Sequence, residues 1–213
     1  PKNERSGWSN MSVTETPAFR LTADCIWNSF QNSGKRHLLL TGSQKSGKST
    51  LLSALFSFPL PGITTWAEPG KAVYLQEHLS KKIAQVGCFD AKLPGPVQKM
   101  RPMPEGFRSL GIAALNRCSQ SESPWVLIDE IGYLESSCPP YCDAIRQLME
   151  KKRLLGAVRK QNLPFLSELC RRTDVFLVDL DAPFGNLGCV IMASGLGRRF
   201  GGQKLMEVFR EKP

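Results

Sequence analysis

From His37 onward, short apolar runs alternate with stretches whose apolar positions recur at helical spacing. His37-Leu38-Leu39-Leu40-Thr41 has strand length, and beyond a glycine-rich turn residues 49–56 carry apolar side chains at helical spacing, so the pattern predicts strand, loop and helix. Residues 72–75 and 83–89 are two further apolar stretches parted by charged residues, including Glu77 and His78, and read as a hairpin. Leu110, Ala113, Ala114 and Leu115 give residues 107–118 a helical period, and 119–124 is a turn cluster. Trp125-Val126-Leu127-Ile128 is continuously apolar and ends in Asp129-Glu130, the pattern of a strand buried on both faces that delivers carboxylates at its carboxyl end. A loop and a helix over 140–152 follow. Residues 154–158 then read as strand, 164–171 as helix with proline in its first turn, and 174–180 as strand. Such alternation predicts an α/β fold, a mostly parallel sheet with helices on both faces.

Length and composition narrow this picture. With 213 residues, 41% hydrophobic and 22% charged, the chain holds one good core and excludes a large two-domain protein. Residues 1–20 are polar, with no sustained apolar period, and predict a poorly ordered arm. No run of about 18 apolar residues exists, so no membrane-spanning helix is expected, and with no export signal visible the expected compartment is the cytoplasm. Seven scattered cysteines fit reduced, packed thiols better than a disulfide framework; Cys138 and Cys142 have no further Cys or His nearby at zinc-ligand spacing. The balance of 28 Lys+Arg against 19 Asp+Glu, a formal +9, favours polyanionic partners such as nucleotides or nucleic acid. No aromatic-and-basic recognition motif supports nucleic acid. The chain starts at Pro1 and stops at Pro213 shortly after a second glycine-rich segment, from which a fragment of a longer protein is expected.

The strongest chemical signal is Gly42-Ser43-Gln44-Lys45-Ser46-Gly47-Lys48-Ser49, followed by Thr50, which satisfies the phosphate-loop pattern between a strand and a helix. Backbone N–H groups and a helix N-terminus cradle phosphates there, Lys48 reaches the outer ones, and the Ser49 hydroxyl serves Mg²⁺. Lys45 stands inside the loop, either adding charge near the outer phosphate or solvated. Asp129, at the end of the buried strand, is the expected anchor of the magnesium shell, and Glu130 the group that prepares the attacking water. A cation is needed for the charge developing on the transferred phosphoryl group. Arg159, past the strand at 154–158, is preferred over Arg108, because carboxyl ends of parallel strands line the nucleotide crevice. Trp66 and Phe107 are candidate base-stacking platforms, although aromatics in an α/β domain are mostly core.

The stretch 126–135, with the phosphate loop, Leu155-Gly-Ala-Val158 and Arg172-Thr-Asp-Val-Phe176, resembles the small P-loop nucleoside-triphosphatase family of thermophiles and animals. Its specific element, Asp-Glu-Ile-Gly-x-hydrophobic-Glu, is matched by Asp129, Glu130, Ile131, Gly132, Leu134 and Glu135. The resemblance covers about residues 36–181. It implies a compact domain hydrolysing nucleoside triphosphates to diphosphates with Mg²⁺ and broad base selectivity. Gln44-Lys45 stands where the family commonly has Pro-Gly, and Tyr133 where it usually has Lys.

The last segment carries Gly195, Gly197, Arg199, Phe200, Gly201 and Lys204 after a strand, and is similar to the opening of the nucleotidyltransferases that attach nucleotides to the molybdenum cofactor or to sugar phosphates. The expected division is therefore an N-terminal arm over 1–34, partly disordered, a P-loop domain over 35–184, and the truncated start of a nucleotidyltransferase-like α/β unit over 185–213. The expected activity is hydrolysis of nucleoside triphosphates. The alternatives are a kinase passing the outer phosphate to a small acceptor, whose pocket the sequence does not reveal, and a nucleotide-dependent switch serving a downstream transferase.

Overall fold

The structure, a computed structural model, describes residues 21–56, 59–93 and 99–182. Residues 1–20 and the nucleotidyltransferase-like segment 185–213 lie outside the described residues. The strands are β1 (His37–Thr41), β2 (Gly62–Glu68), β3 (Ala72–Glu77), β4 (Ile83–Phe89), β5 (Met100–Pro102), β6 (Trp125–Ile131), β7 (Arg153–Val158) and β8 (Val175–Asp179). They form one sheet in the order β5-β4-β3-β2-β6-β7-β1-β8. From β2 to β8 all neighbours are parallel, whereas β3, β4 and β5 continue the sheet beyond β2 as an antiparallel wing.

The helices are α1 (Ala23–Asn32), α2 (Lys48–Leu55), α3 (Pro104–Gly106), α4 (Ile112–Gln120), α5 (Tyr133–Ser136), α6 (Pro139–Lys151) and α7 (Pro164–Arg171), with a π-turn over Phe107–Gly111 joining α3 to α4. None of the described helices is long and apolar enough to cross a membrane. The central parallel strands read as unbroken apolar runs because helices cover both of their faces. Leu39 of β1 packs with Ile128, Leu154 and residues of α6 and α7, whereas its neighbours Leu38 and Leu40 pack on the other face with Leu52 of α2 and Ile26 and Phe30 of α1.

Helix α1 falls within the expected arm over 1–34 and is an ordered element there, with Ile26 and Phe30 set into the core. Thr22 caps it, its Oγ1 accepting the Cys25 N–H at 3.2 Å. Ile26 and Phe30 are buried, and the rings of Trp27 and Phe30 meet Trp125 at 5.7 and 5.6 Å. The Ile26–Phe30 spacing of four behind a threonine cap is the local helix signal, weakened by the polar residues around it. Strand β2 is likewise absent from the sequence-based reading. Only its first two positions are buried and its two threonines are half-covered, so no apolar run announces it. The hairpin formed by residues 72–75 and 83–89 is present as β3–β4, with a bulge between Val73 and Tyr74.

Two buried polar groups brace the sheet. Glu77 at the end of β3 has no exposed side-chain surface and accepts both Arg117 Nε and Nη2 at 2.6 Å, which holds α4 to the wing. Its carboxyl lies below the ordinary range, chiefly through the Arg117 hydrogen bonds. His37, fully buried at the start of β1, accepts the Leu154 N–H on Nδ1 at 3.0 Å, with Nε2 3.3 Å from Asp174. Burial pushes its pKa down to about 4, against the pull of Asp174.

Candidate active site

The chain leaves β1 at Thr41, turns through the glycine-rich loop and enters α2 at Lys48. Gly47, just ahead of the helix, has φ of 91°, a left-handed conformation that costs a side-chain-bearing residue about 1 kcal/mol or more. The turn therefore requires glycine there. Lys48 is buried, and its amine donates across the loop to the carbonyls of Gly42 at 3.0 Å and Ser43 at 2.9 Å. Residues 42–50 of the loop, together with Glu130, Arg159, Lys160 and Gln161, line a cavity of about 490 Å³.

Strand β6 lies two positions from β1 and brings its carboxylates to the same edge. The Ser49 hydroxyl lies beside the Asp129 carboxylate and favours its charged form. Burial raises the Asp129 pKa, while Ser49, Lys48 and His78 pull the other way. Strand β2 secures this end of β6, because Thr65 Oγ1 accepts the Glu130 N–H at 3.1 Å and donates to the Asp129 carbonyl at 3.4 Å. Glu130 Oε1 stands 3.2 Å from Arg159 Nε, which projects from the end of β7.

Gly132 shapes the Arg159 position through close approach rather than backbone freedom. A Cβ on Gly132 would lie 3.0 Å from Arg159 Cδ, so the arginine stem packs where another residue would carry its side chain. The guanidinium sits 5.7 Å from the centre of the Tyr133 ring, which takes the place of the family's usual Lys. Glu135, buried, accepts the Gly132 N–H at 2.7 Å and ties the start of α5 to the end of β6. Burial pushes the Glu135 carboxyl up to about 7, despite its backbone hydrogen bonds and the nearby Arg159.

A second carboxylate cluster holds the loop from the β8 side. Asp181 accepts the Ser43 N–H and the Ser43 hydroxyl, each at 2.9 Å, and Lys160 Nζ bridges it at 3.2 Å to Asp179 at 2.7 Å. The Ser43 hydrogen bonds, backbone first, keep the Asp181 carboxyl below its ordinary range.

The fold thus brings Lys48, Ser49, Asp129, Glu130 and Arg159 to one edge of the sheet. Lys45 and Thr50, both exposed, line the same cavity, Lys45 with a left-handed φ of 64°. Arg108, the second candidate cation, instead pairs with Glu105 at 2.7 Å on the surface and lines none of that cavity. Phe107 is wholly buried, its ring 4.8 Å from that of Tyr141, and is core rather than a platform. Trp66 is 37% exposed. Cys138 and Cys142 are buried, the Cys142 thiol donating to the Glu135 carbonyl at 3.4 Å, and burial pushes that thiol up to about 11. Thr65, Lys160, Gln161 and Asp181 escaped the sequence reading. Their types are common and their places in the site come from strands far apart in sequence; a polar residue next to Arg159, past a buried strand, was the one available hint.

A phosphate loop between a central parallel strand and its helix, with paired carboxylates at the end of a second parallel strand two positions away, defines a P-loop nucleoside-triphosphatase fold. Residues 74–183 match the model of the family described as NTPase, and the chain belongs to that family. It is a hydrolase of nucleoside triphosphates. The matched stretch holds Asp129, Glu130 and Arg159, and the phosphate loop precedes it. The structure is similar to that of THEP1 from the hyperthermophile Aquifex aeolicus, with a TM-score of 0.56 and 21% identity over 68% of this chain and 89% of that one. It is also similar to the solution structure of a human cancer-related nucleoside triphosphatase, with a TM-score of 0.51 and 22% identity over 68% and 88% of the two chains. At these identities both likenesses speak for the fold. No curated protein matches the chain.

Proposed function

We propose that the enzyme hydrolyses nucleoside triphosphates to diphosphate and phosphate in the cavity of the phosphate loop, with Mg²⁺ as cofactor and broad base selectivity. The observation that carries this reading is the meeting of Glu130 and Arg159, 3.2 Å apart, at the lining of the cavity that Lys48 also lines. Glu130 accepts the proton of the attacking water, and Arg159 and Lys48 face the charge that develops on the outer phosphoryl group. Asp181 and Thr65 hold the loop and the end of β6 in register for this.

The donor set suits Mg²⁺. Ser49 and Asp129, which lie beside one another, offer a hydroxyl and a carboxylate, both hard oxygen donors, and Mg²⁺ takes one or two such protein ligands with phosphates and waters for the rest. When bound, the ion neutralises charge on the phosphates. Among the described residues the lining of this cavity includes no aromatic side chain, which supports recognition of phosphates over recognition of a base.

The test is phosphate release over a panel of nucleoside triphosphates, with Mg²⁺ and with a chelator, in the wild type and in Asp129→Asn. Release should occur with several bases, stop with the chelator, and fall strongly in the variant. Release that persists under chelation would remove the magnesium assignment, and strict selectivity for one base would remove the breadth.

A further inference from the structure

A second cavity, of about 350 Å³, adjoins the phosphate cavity and shares Gln44, Glu130 and Arg159 with it. Its remaining walls come from β2, the antiparallel wing and the start of α5 and have another chemistry. Trp66, Val73, Met100, Tyr133 and Leu134 line it, with Ala67 at the outer end of β2. The Tyr133 ring is a fixed wall, since its hydroxyl donates to the Met100 carbonyl at 3.1 Å while its face meets Arg159. Trp66 is backed by Tyr74, their ring centres 5.7 Å apart.

Aromatic and thioether walls suit a planar ring, and the volume falls at the lower end of the range of about 300–1,000 Å³ for small-molecule sites. Among the described residues no lysine lines this cavity, and the one cation, Arg159, is already paired with Glu130. An anionic ligand would lack a partner, so the walls select a neutral one. Glu130 stands where the two cavities meet. A hydroxyl carried by a ring in the second cavity meets the same carboxylate that receives the water proton in hydrolysis.

From this we infer that the second cavity is an acceptor site for a neutral, ring-bearing alcohol of the nucleoside class, and that the enzyme phosphorylates it with the outer phosphoryl group of the bound triphosphate. The inference rests on the reading of Glu130 and the phosphate loop given above. In the step, the acceptor hydroxyl oxygen forms a bond to the outer phosphorus and the bridging P–O bond breaks. The nucleoside diphosphate leaves with that electron pair, and the hydroxyl proton passes to Glu130 and then to solvent.

The experiment incubates the full chain with Mg²⁺ and a triphosphate labelled in the outer phosphate. Adenosine, guanosine, cytidine, uridine, their monophosphates and glycerol are supplied separately, and labelled phosphate and labelled acceptor are both measured. At least one nucleoside should be phosphorylated, with monophosphates and glycerol inert. Ala67→Phe, which fills the cavity from an exposed strand end, should cut transfer about tenfold or more, and Trp66→Ala should weaken it, with phosphate release in both within about twofold of wild type. Phosphate release with no labelled nucleoside would overturn the acceptor site and leave the hydrolase reading standing. Transfer that survives Ala67→Phe undiminished would also overturn it, placing the acceptor elsewhere. Loss of both reactions in the wild type would overturn the reading of the phosphate loop itself, and the acceptor site with it.

Discussion

The two halves of the sheet solve different problems with the same hydrogen-bonded strands. In the parallel half, β2-β6-β7-β1-β8, helices cover both faces, every residue of β1 is buried, and the carboxyl ends of the strands point the same way. That shared polarity is why residues from β1, β6 and β7 meet at one edge. The antiparallel wing packs Val73, Leu75 and Val86 against the core and leaves Ile83 and Phe89 54% and 41% exposed. Alternating strand direction scatters its strand ends, so it supplies walls and a bracing ion pair rather than a converging charged site. The chemistry belongs to the parallel half and the second cavity to the seam between them.

Substitutions that strike one half alone sharpen this contrast. The largest effect is expected of Glu130→Gln, which should lower turnover by about 10²–10⁴ while triphosphate binding holds, the loss typical of a removed general base. Single-turnover phosphate release alongside nucleotide titration separates the two, and unchanged turnover would place proton acceptance on another group. Lys48→Ala should cost about 10²–10³ in turnover and weaken triphosphate binding, since it deletes the buried cation of the loop. Wild-type affinity in a nucleotide titration would count against the phosphate assignment.

A pH titration of stability probes the parallel half without touching its cavity. His37 falls from 6.5 to about 4 on folding, so as pH drops below 6.5 the unfolded chain binds a proton before the folded one does. Stability should therefore decline by about 3 kcal/mol between pH 6.5 and pH 4 and lose nothing more to this group below that. Denaturant unfolding across the range checks it, with His37→Asn, which can still accept the Leu154 N–H, expected to flatten the slope. The smallest effect concerns the wing. Arg117→Ala leaves the buried Glu77 carboxylate without its two-pronged partner and should lower the denaturant midpoint of unfolding, moderated because Arg117 itself is partly exposed. Phosphate release from the still-folded variant should stay near wild type; a large fall would mean that the wing supports the reaction directly.

Much of this protein followed from local chemistry. The run 37–41, the glycine-rich loop, the strand ending in Asp129-Glu130 and the proline-led helices were all legible, because burial on both faces and tight turns leave strong residue preferences. What escaped did so for physical reasons. Strand β2 carries only two buried positions, and β5 is three residues long, so neither leaves a periodic trace. In α1, a polar surround obscured the Ile26–Phe30 pair.

Residue identity and spacing by themselves determined the phosphate loop with its lysine and hydroxyl, and separately the buried strand that ends in paired carboxylates, since each of these two patterns is complete within a few residues. The tertiary structure alone decided that Thr65 of β2 holds the end of β6, that Asp181 holds Ser43 from 138 positions away, and that the Arg159 stem packs against Gly132. Those choices depend on strand order, which is set by how the whole sheet buries its two faces and is written in no single segment of the chain.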